Sequence, residues 1–177
     1  MPTAPATTST RHVVIDSPIG PLTLVRDDGG LTGVYYPGHW TSPDRHSFGP
    51  RVEPGDDHGF DEAIAQLAEY FAGERRDFDL LLNPHGNAQA RQVWQLLAEV
   101  PYGQTITYGA LAAKVGGGIG ARDVGGFVGD NPLSIFIACH RVVGAGGKLT
   151  GYAGGLARKR YLLELEEAIP APPPVLW

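Results

Sequence analysis

Residues 107–129, T107-Y-G-A-L-A-A-K-V-G-G-G-I-G-A-R-D-V-G-G-F-V-G129, decide how the chain is read. Two short helical segments, 107–115 and 121–129, flank the flexible run 116–120. Two short helices joined by a glycine-containing turn are the outline of a helix-turn-helix. Gly125 and Gly126 stand inside the second helix, where each costs about 1 kcal/mol relative to alanine. A helix that keeps both needs bare backbone, either for close approach by a partner or for tight packing against another helix.

Beyond Asn131 and Pro132 lies I135-F-I-A-C-H-R-V-V143, which holds the only cysteine of the chain. Cys139 is followed by His140 and Arg141 inside strongly apolar surroundings. A thiol is mostly protonated at neutral pH, and only the thiolate is a good nucleophile. A neighbouring base activates it, and a third group usually orients the base. His140 is the available base, but neighbours on extended chain point to opposite sides. The pair therefore needs a turn, or a bridging water, to exchange a proton. Glu164, Glu166 and Glu167 on the last helical segment are all candidate orienters, and periodicity does not choose among them. A buried, inert cysteine is the competing reading.

The chain has 177 residues, 42% of them hydrophobic, and a formal net charge of −5. That suffices for one domain with a good core or for two small subdomains packed together. The charge is uneven: residues 1–90 carry 6 basic and 13 acidic side chains, residues 91–177 carry 8 and 6. The footprint of nucleic-acid binding is local, so the C-terminal half is where to look for one. No apolar run reaches the ~20 residues of a membrane span. The small, polar start, residues 1–11, reads as a disordered leader without the apolar stretch of a secretory signal. A lone cysteine forms no internal disulfide and rules out multi-cysteine metal sites, so a cytoplasmic setting is the simplest inference.

Outward to the N-terminus, residues 12–36 read as three strands broken by S17-P-I-G-P and D27-D-G-G. Residues 37–59 read as an irregular loop. A helix over 60–71 carries Phe60, Ile64, Leu67 and Phe71 at helical spacing and stops at Gly73. A further strand is expected over 77–86. The C-terminal half adds a helix over 90–100 and a final one over 156–168, with Leu156, Tyr161, Leu162 and Leu165 near one face. The prolines of 171–177 cannot continue it. The result is an α+β chain: an N-terminal sheet-plus-helix domain (12–85) and a mainly helical domain (86–170) with the helix-turn-helix and the cysteine. His39, His46, His58 and His85 lack metal-ligand spacing and read as surface residues. The G116-G-G-I-G run lacks the Lys-Ser/Thr and βαβ setting of a phosphate loop. Neither metal nor cofactor is expected.

A138-C-H-R-V-V, with N131-P before it and T150-G-Y-A-G-G-L and L162-L-E-L-E after it, closely resembles the active-site region of the O6-alkylguanine-DNA alkyltransferases, the methylated-DNA–protein-cysteine methyltransferases. The likeness extends through V100-P-Y-G-Q-T-I-T-Y-G-A-L-A, A121-R-D-V-G-G, Y70-F-A-G-E and S17-P-I-G-P-L, and spans roughly residues 12–168. The resemblance implies a ribonuclease H-like N-terminal domain. It further implies minor-groove binding of double-stranded DNA by a monomer, and extrusion of an O6-alkylguanine or O4-alkylthymine. The alkyl group then passes to the protein in a single irreversible turnover. By motif, Cys139 is the acceptor, His140 its base, Glu166 the orienter of His140, and Asn131 the residue that shapes the segment. Tyr108 donates its hydroxyl to the leaving base, and the Val142 carbonyl reads the exocyclic amine. Tyr152, Ala153 and Gly154 wall the base pocket. Arg122 fills the gap in the duplex, and Gly125 and Gly126 admit the DNA backbone.

The chain departs from the family pattern in three places. Ala138 replaces the usual proline before the cysteine. Gly129 and Asp130 stand where a basic or polar residue and then glycine are usual. The segment after Gly86 lacks the usual Thr and Phe. Asp123 and Asp130 put carboxylates where phosphates would approach, and like charges repel. Those acids motivate two other readings: an alkyl acceptor for small molecules or single strands, and a non-catalytic DNA-binding alkylation sensor.

Overall fold

In the computed structural model, residues 9–41 and 43–174 are described. The turns at Ser17–Gly20 and Asp27–Gly30 fold the N-terminal segment into an antiparallel sheet of order β1-β2-β3: β1 Arg11–Ile15, β2 Leu22–Asp27 and β3 Gly30–Tyr35. Gly30, at φ +137°, could not carry a side chain, since a Cβ there would lie 2.5 Å from the Leu81 carbonyl oxygen. β1 starts at Arg11, one residue inside the expected leader; residues 1–8 of that leader lie outside the described residues.

The expected strand over 77–86 is not formed. Its backbone is taken up elsewhere: Asp79 N–H donates to the Gln66 side chain, Leu31 N–H to Leu81 O, and Asn83 N–H to Leu31 O. Only an isolated bridge, Leu31 to Leu82, remains. Helix α1 (Asp61–Phe71) follows the expected span, but its buried face is Ala63, Gln66, Leu67 and Tyr70. Ile64 and Phe71 are only half-buried. The helix is turned by its polar residues, because Gln66 and Tyr70 both have inward hydrogen-bond partners.

In the C-terminal half, α2 spans Ala88–Ala98, capped by Asn87, whose Oδ1 accepts from Ala90 N–H at 2.8 Å. A two-residue parallel pairing joins β4 (Ile106–Thr107) to β5 (Val142–Val143). Thr107 caps α3 (Tyr108–Val115). Gly116, Gly117 and Gly118 all have positive φ in open space, which reverses the chain into α4 (Ala121–Gly129). Helix α5 (Leu156–Leu165) ends three residues short of the expected boundary. Its buried face is Lys159, Leu162 and Leu163, whereas Leu156 is exposed and Tyr161 and Leu165 are half-buried. Residues 171–174 carry no regular structure, and the rest of the expected tail lies outside the described residues.

One apolar core runs through both halves. Val34 N–H donates to Pro132 O at 2.8 Å, and the Phe78 and Phe136 rings meet edge to face at 4.9 Å. These contacts hold the segment 130–143 between the sheet and α5.

Candidate active site

The segment after α4 has to turn sharply, and Asn131 supplies the means. Its buried side chain donates to Ile137 O at 2.9 Å and accepts from Leu133 N–H at 3.0 Å. Inside that loop Ile135 sits at φ +74°, a backbone state that L-residues with branched side chains avoid. Such strain costs about 1–3 kcal/mol and persists only where the surroundings enforce it. Here the residue is buried, and Ile137 N–H donates to Leu133 O across it.

Cys139, His140 and Arg141 form a 3-10 turn rather than extended chain. That turn lets Cys139 and His140 depart from the opposed directions of a strand. His140 is fully buried, and its Nε2 lies 2.7 Å from Glu166 Oε1. Its Nδ1 is also buried and has no protein partner among the described residues. With Nε2–H given to the carboxylate, the free lone pair of a neutral imidazole lies on Nδ1. Burial holds His140 toward that neutral form, against the pull of Glu166.

Glu166 is the hub of the site. Oε1 accepts from Tyr70 Oη at 2.7 Å and from Arg141 Nη2 at 2.9 Å, besides His140, and Oε2 accepts from Arg141 Nε at 2.9 Å. Burial pushes its carboxyl pKa up, but the hydrogen bonds and charges of His140 and Arg141 outweigh this and hold it at about 2. Besides that pair, Arg141 donates from Nη1 to Val100 O at 2.6 Å. The buried charges of Arg141 and Glu166 therefore balance each other, which suits an uncharged His140 between base and acid roles.

The thiol faces a small pocket. Its cavity, about 20 Å³, is lined by Cys139, Tyr108, Gly125, Val128, Gly129, Tyr152, Ala153, Gly151 and Trp40. Burial pushes the Cys139 thiol up, so the resting group is protonated; Asn131, Lys159 and Ser134 pull the other way. Burial also raises the Tyr108 hydroxyl, which keeps it a proton donor. The β4–β5 pairing sets Tyr108, the first residue of α3, opposite the strand that leaves the cysteine turn. Val142 and Gly154 do not line this cavity. The Val142 carbonyl accepts from Lys159 Nζ, and Gly154 makes room for Tyr36, since a Cβ there would lie 2.5 Å from that ring.

On the face of α4, Arg122 is exposed and forms no ion pair among the described residues. A Cβ on Gly126 would meet nothing within 4 Å, and one on Gly125 would meet Tyr108 only at an ordinary 3.7 Å. Tight helix packing is thus not what these glycines serve. Asp123 turns its carboxylate back on its own helix, accepting from Gly120 N–H at 3.4 Å. Asp130 remains exposed at the other end. No group of three or more His, Cys, Asp or Glu side chains is placed to hold a metal among the described residues, and no helix there is long and apolar enough to cross a membrane.

Residues 10–84 match the model of the 6-O-methylguanine DNA methyltransferase ribonuclease-like domain, and residues 88–168 match that of the DNA-binding domain. The chain belongs to the 6-O-methylguanine DNA methyltransferase family. It is 46% identical over 154 residues to the methylated-DNA–protein-cysteine methyltransferase of Mycobacterium tuberculosis, covering 87% of this chain and 90% of that one. The methyltransferase of Methanosarcina acetivorans is 40% identical over 164 residues, covering 88% and 97%. The fold superposes on the crystal structure of the M. tuberculosis O6-methylguanine methyltransferase with a TM-score of 0.79 at 44% identity, covering 92% of this chain and 95% of the other. The M. tuberculosis protein solved in complex with DNA gives the same TM-score and identity over 89% and 93%.

Within this methyltransferase fold, four site residues carry no expectation from sequence. Tyr70 and Arg141 hold Glu166 in place. Lys159 is buried, and its ammonium donates to the carbonyls of Val142, Thr150 (2.9 Å) and Gly151 (3.2 Å). Its desolvation brings the ammonium pKa down to about 8. Tyr36, the residue after β3, meets the Tyr152 hydroxyl at 2.6 Å behind the pocket. The signal for Tyr70 lay in Y70-F-A-G-E, a stretch that carried the family likeness without a role attached. His39, expected on the surface, is buried: Nδ1 accepts from Tyr36 N–H at 3.4 Å, and the ring stacks on Tyr36.

Proposed function

We propose that this chain repairs DNA by direct reversal, as an intracellular monomer that takes the alkyl group of O6-alkylguanine or O4-alkylthymine from duplex DNA onto Cys139. The observation that carries the reading is the buried line Glu166–His140, with its free Nδ1, beside a thiol at the foot of a pocket. The family membership and the DNA complex of the M. tuberculosis relative support DNA as the partner.

In this reading α4 enters the minor groove, where Gly125 and Gly126 let the backbones approach and Arg122 occupies the space of the extruded base. The base lies among Tyr108, Tyr152 and Ala153. The thiol proton passes through a bridging water to His140 Nδ1, and Glu166 stabilises the imidazolium that results. Lys159 offsets part of the thiolate charge. Sulfur attacks the alkyl carbon as the carbon–O6 bond breaks, and the electron pair moves onto O6 and the purine. Tyr108 gives the leaving guanine its proton and recovers one from His140 through solvent. The product is a thioether with no hydrolytic exit, so each chain acts once.

Incubation with duplex containing O6-methylguanine should add one methyl to the peptide that holds Cys139, read by mass spectrometry, and Cys139→Ala should abolish it. No mass gain with protein in excess over lesion sinks the proposal.

A further inference from the structure

The cavity beside Cys139 holds about 20 Å³, room for roughly one water. An alkylated purine does not fit, and among the side chains that line the cavity only that of Trp40 is largely exposed. Trp40 lies in the segment after β3. Its backbone N–H donates to Ala153 O at 3.0 Å, pinning the segment to the pocket wall. Behind it a turn closes through His39 N–H to Tyr36 O at 3.2 Å, and the buried His39 ring secures that turn. Burial lowers the His39 pKa to about 4, so this anchor is uncharged at neutral pH.

The indole itself is different. It is 56% exposed and spans the mouth between two glycines. Nε1 donates to Gly129 O at a long 3.4 Å. A Cβ on Gly129 would come within 2.9 Å of the ring, and one on Gly151 within 3.2 Å. On the outer side of the indole an open groove of about 470 Å³ is lined by Trp40, Thr41, Gly125, Gly126, Gly129 and Asp130. Trp40, Gly125 and Gly129 border both spaces. The indole therefore stands between the glycine face of α4 and the thiol. Its seat is the unusual Gly129, for which the helix itself has no need.

We propose that Trp40 is a specificity-determining residue of the acceptor pocket. Its indole closes the mouth between Gly129 and Gly151, swings aside on its pinned backbone to admit the base, and limits the size of alkyl group that reaches Cys139. The proposal rests on the reading of Cys139 as an alkyl acceptor. An aromatic face at a pocket mouth is also suited to stack on a purine in transit. A gate carried by one exposed side chain on a fixed backbone opens without unfolding its support.

The test compares the wild type with Trp40→Ala, Trp40→Phe and Gly129→Ala, the last chosen because its new Cβ must displace the ring. Labelling of Cys139 by the neutral reagent 4,4′-dithiodipyridine should quicken about tenfold in Trp40→Ala and Gly129→Ala, since access limits a buried thiol. The ratio of transfer rates from free O6-benzylguanine and free O6-methylguanine should shift toward benzyl by about tenfold in the same variants, a typical worth for pocket size. Trp40→Phe should fall between. Transfer by the wild type with unchanged labelling and an unchanged benzyl-to-methyl ratio in Trp40→Ala overturns the gate. Faster labelling without alkyl transfer in any form supports the gate and sinks the repair reading instead.

Discussion

Replacing Glu166 by glutamine keeps the shape of the hub and removes its charge, so stability and chemistry can be read from one variant. The ordinary carboxyl value of 4.5 falls to about 2 in the fold. That difference is worth about 3 kcal/mol at neutral pH. The folded pKa is the depressed one, so this stability is present above the unfolded value near 4.5 and is lost as pH falls toward 2. A second route agrees: removing one partner of a buried ion pair costs about 3–5 kcal/mol, because Arg141 is left buried with its charge uncompensated. Against a total of about 5–15 kcal/mol, Glu166→Gln should remain folded but melt about 6–12 °C lower near pH 7. Thermal unfolding followed by circular dichroism between pH 3 and pH 7, roughly the window of the shift, should show the wild type losing stability on acidification and the variant losing much less. Well below both midpoints, alkyl transfer should slow by about 10²–10⁴, the worth of an oriented general base. A variant that melts with the wild type at neutral pH would refute the charge balance with Arg141. A folded variant with an unchanged transfer rate would refute the orienting role.

Two further substitutions separate the helix from the chemistry. Gly126→Ala places a methyl in open space on α4. It should therefore raise the melting temperature by about 2–4 °C through helix propensity while weakening duplex binding, measured by fluorescence anisotropy. Equal or tighter binding would show that no backbone approaches there. Arg122→Ala should slow transfer from methylated duplex much more than transfer from free O6-benzylguanine. Equal losses on both would make Arg122 a structural residue.

The pattern of what could be read in advance follows from where side chains spend their polar groups. Cys139 and His140 stood out because a thiol and an imidazole interrupt an apolar run, and the 3-10 turn takes the pair out of the extended chain that would oppose them. The helices of the C-terminal half announced themselves through periodicity, but the Asn87 cap starts the first of them at Ala88 and it ends at Ala98, two residues ahead of the expected 90–100 at both ends. Lys159 did not, because a lysine beside Arg158 and Arg160 looks solvent-facing, and only three converging carbonyls draw it inward. Periodicity also misplaced the buried stripe of α1, since it ranks Phe71 above Tyr70 and cannot see that Tyr70 has Glu166 waiting 96 positions away. Residues 77–86 had strand composition, but Gln66 and Leu31 claimed their hydrogen bonds. Trp40 lies in a stretch with no period at all, so its place over the thiol was legible only in three dimensions.

The hydroxyl of Tyr70 on Glu166 has a consequence for how the molecule can be divided. Sequence models match two halves, residues 10–84 and 88–168. Yet the hydrogen bonds to Glu166 are completed by a phenol from the first half, the Tyr36 hydroxyl meets that of Tyr152, and the Phe78 ring packs on Phe136. A C-terminal fragment would keep Cys139, His140, Glu166 and Tyr108, losing only Trp40 from the lining of the cavity. It would nonetheless leave Glu166 short of one donor and expose Phe136 and Tyr152 to water. The seam between the halves is thus part of the proposed reaction centre, and the N-terminal sheet earns its place as a support for the cysteine segment rather than as an appendage to it.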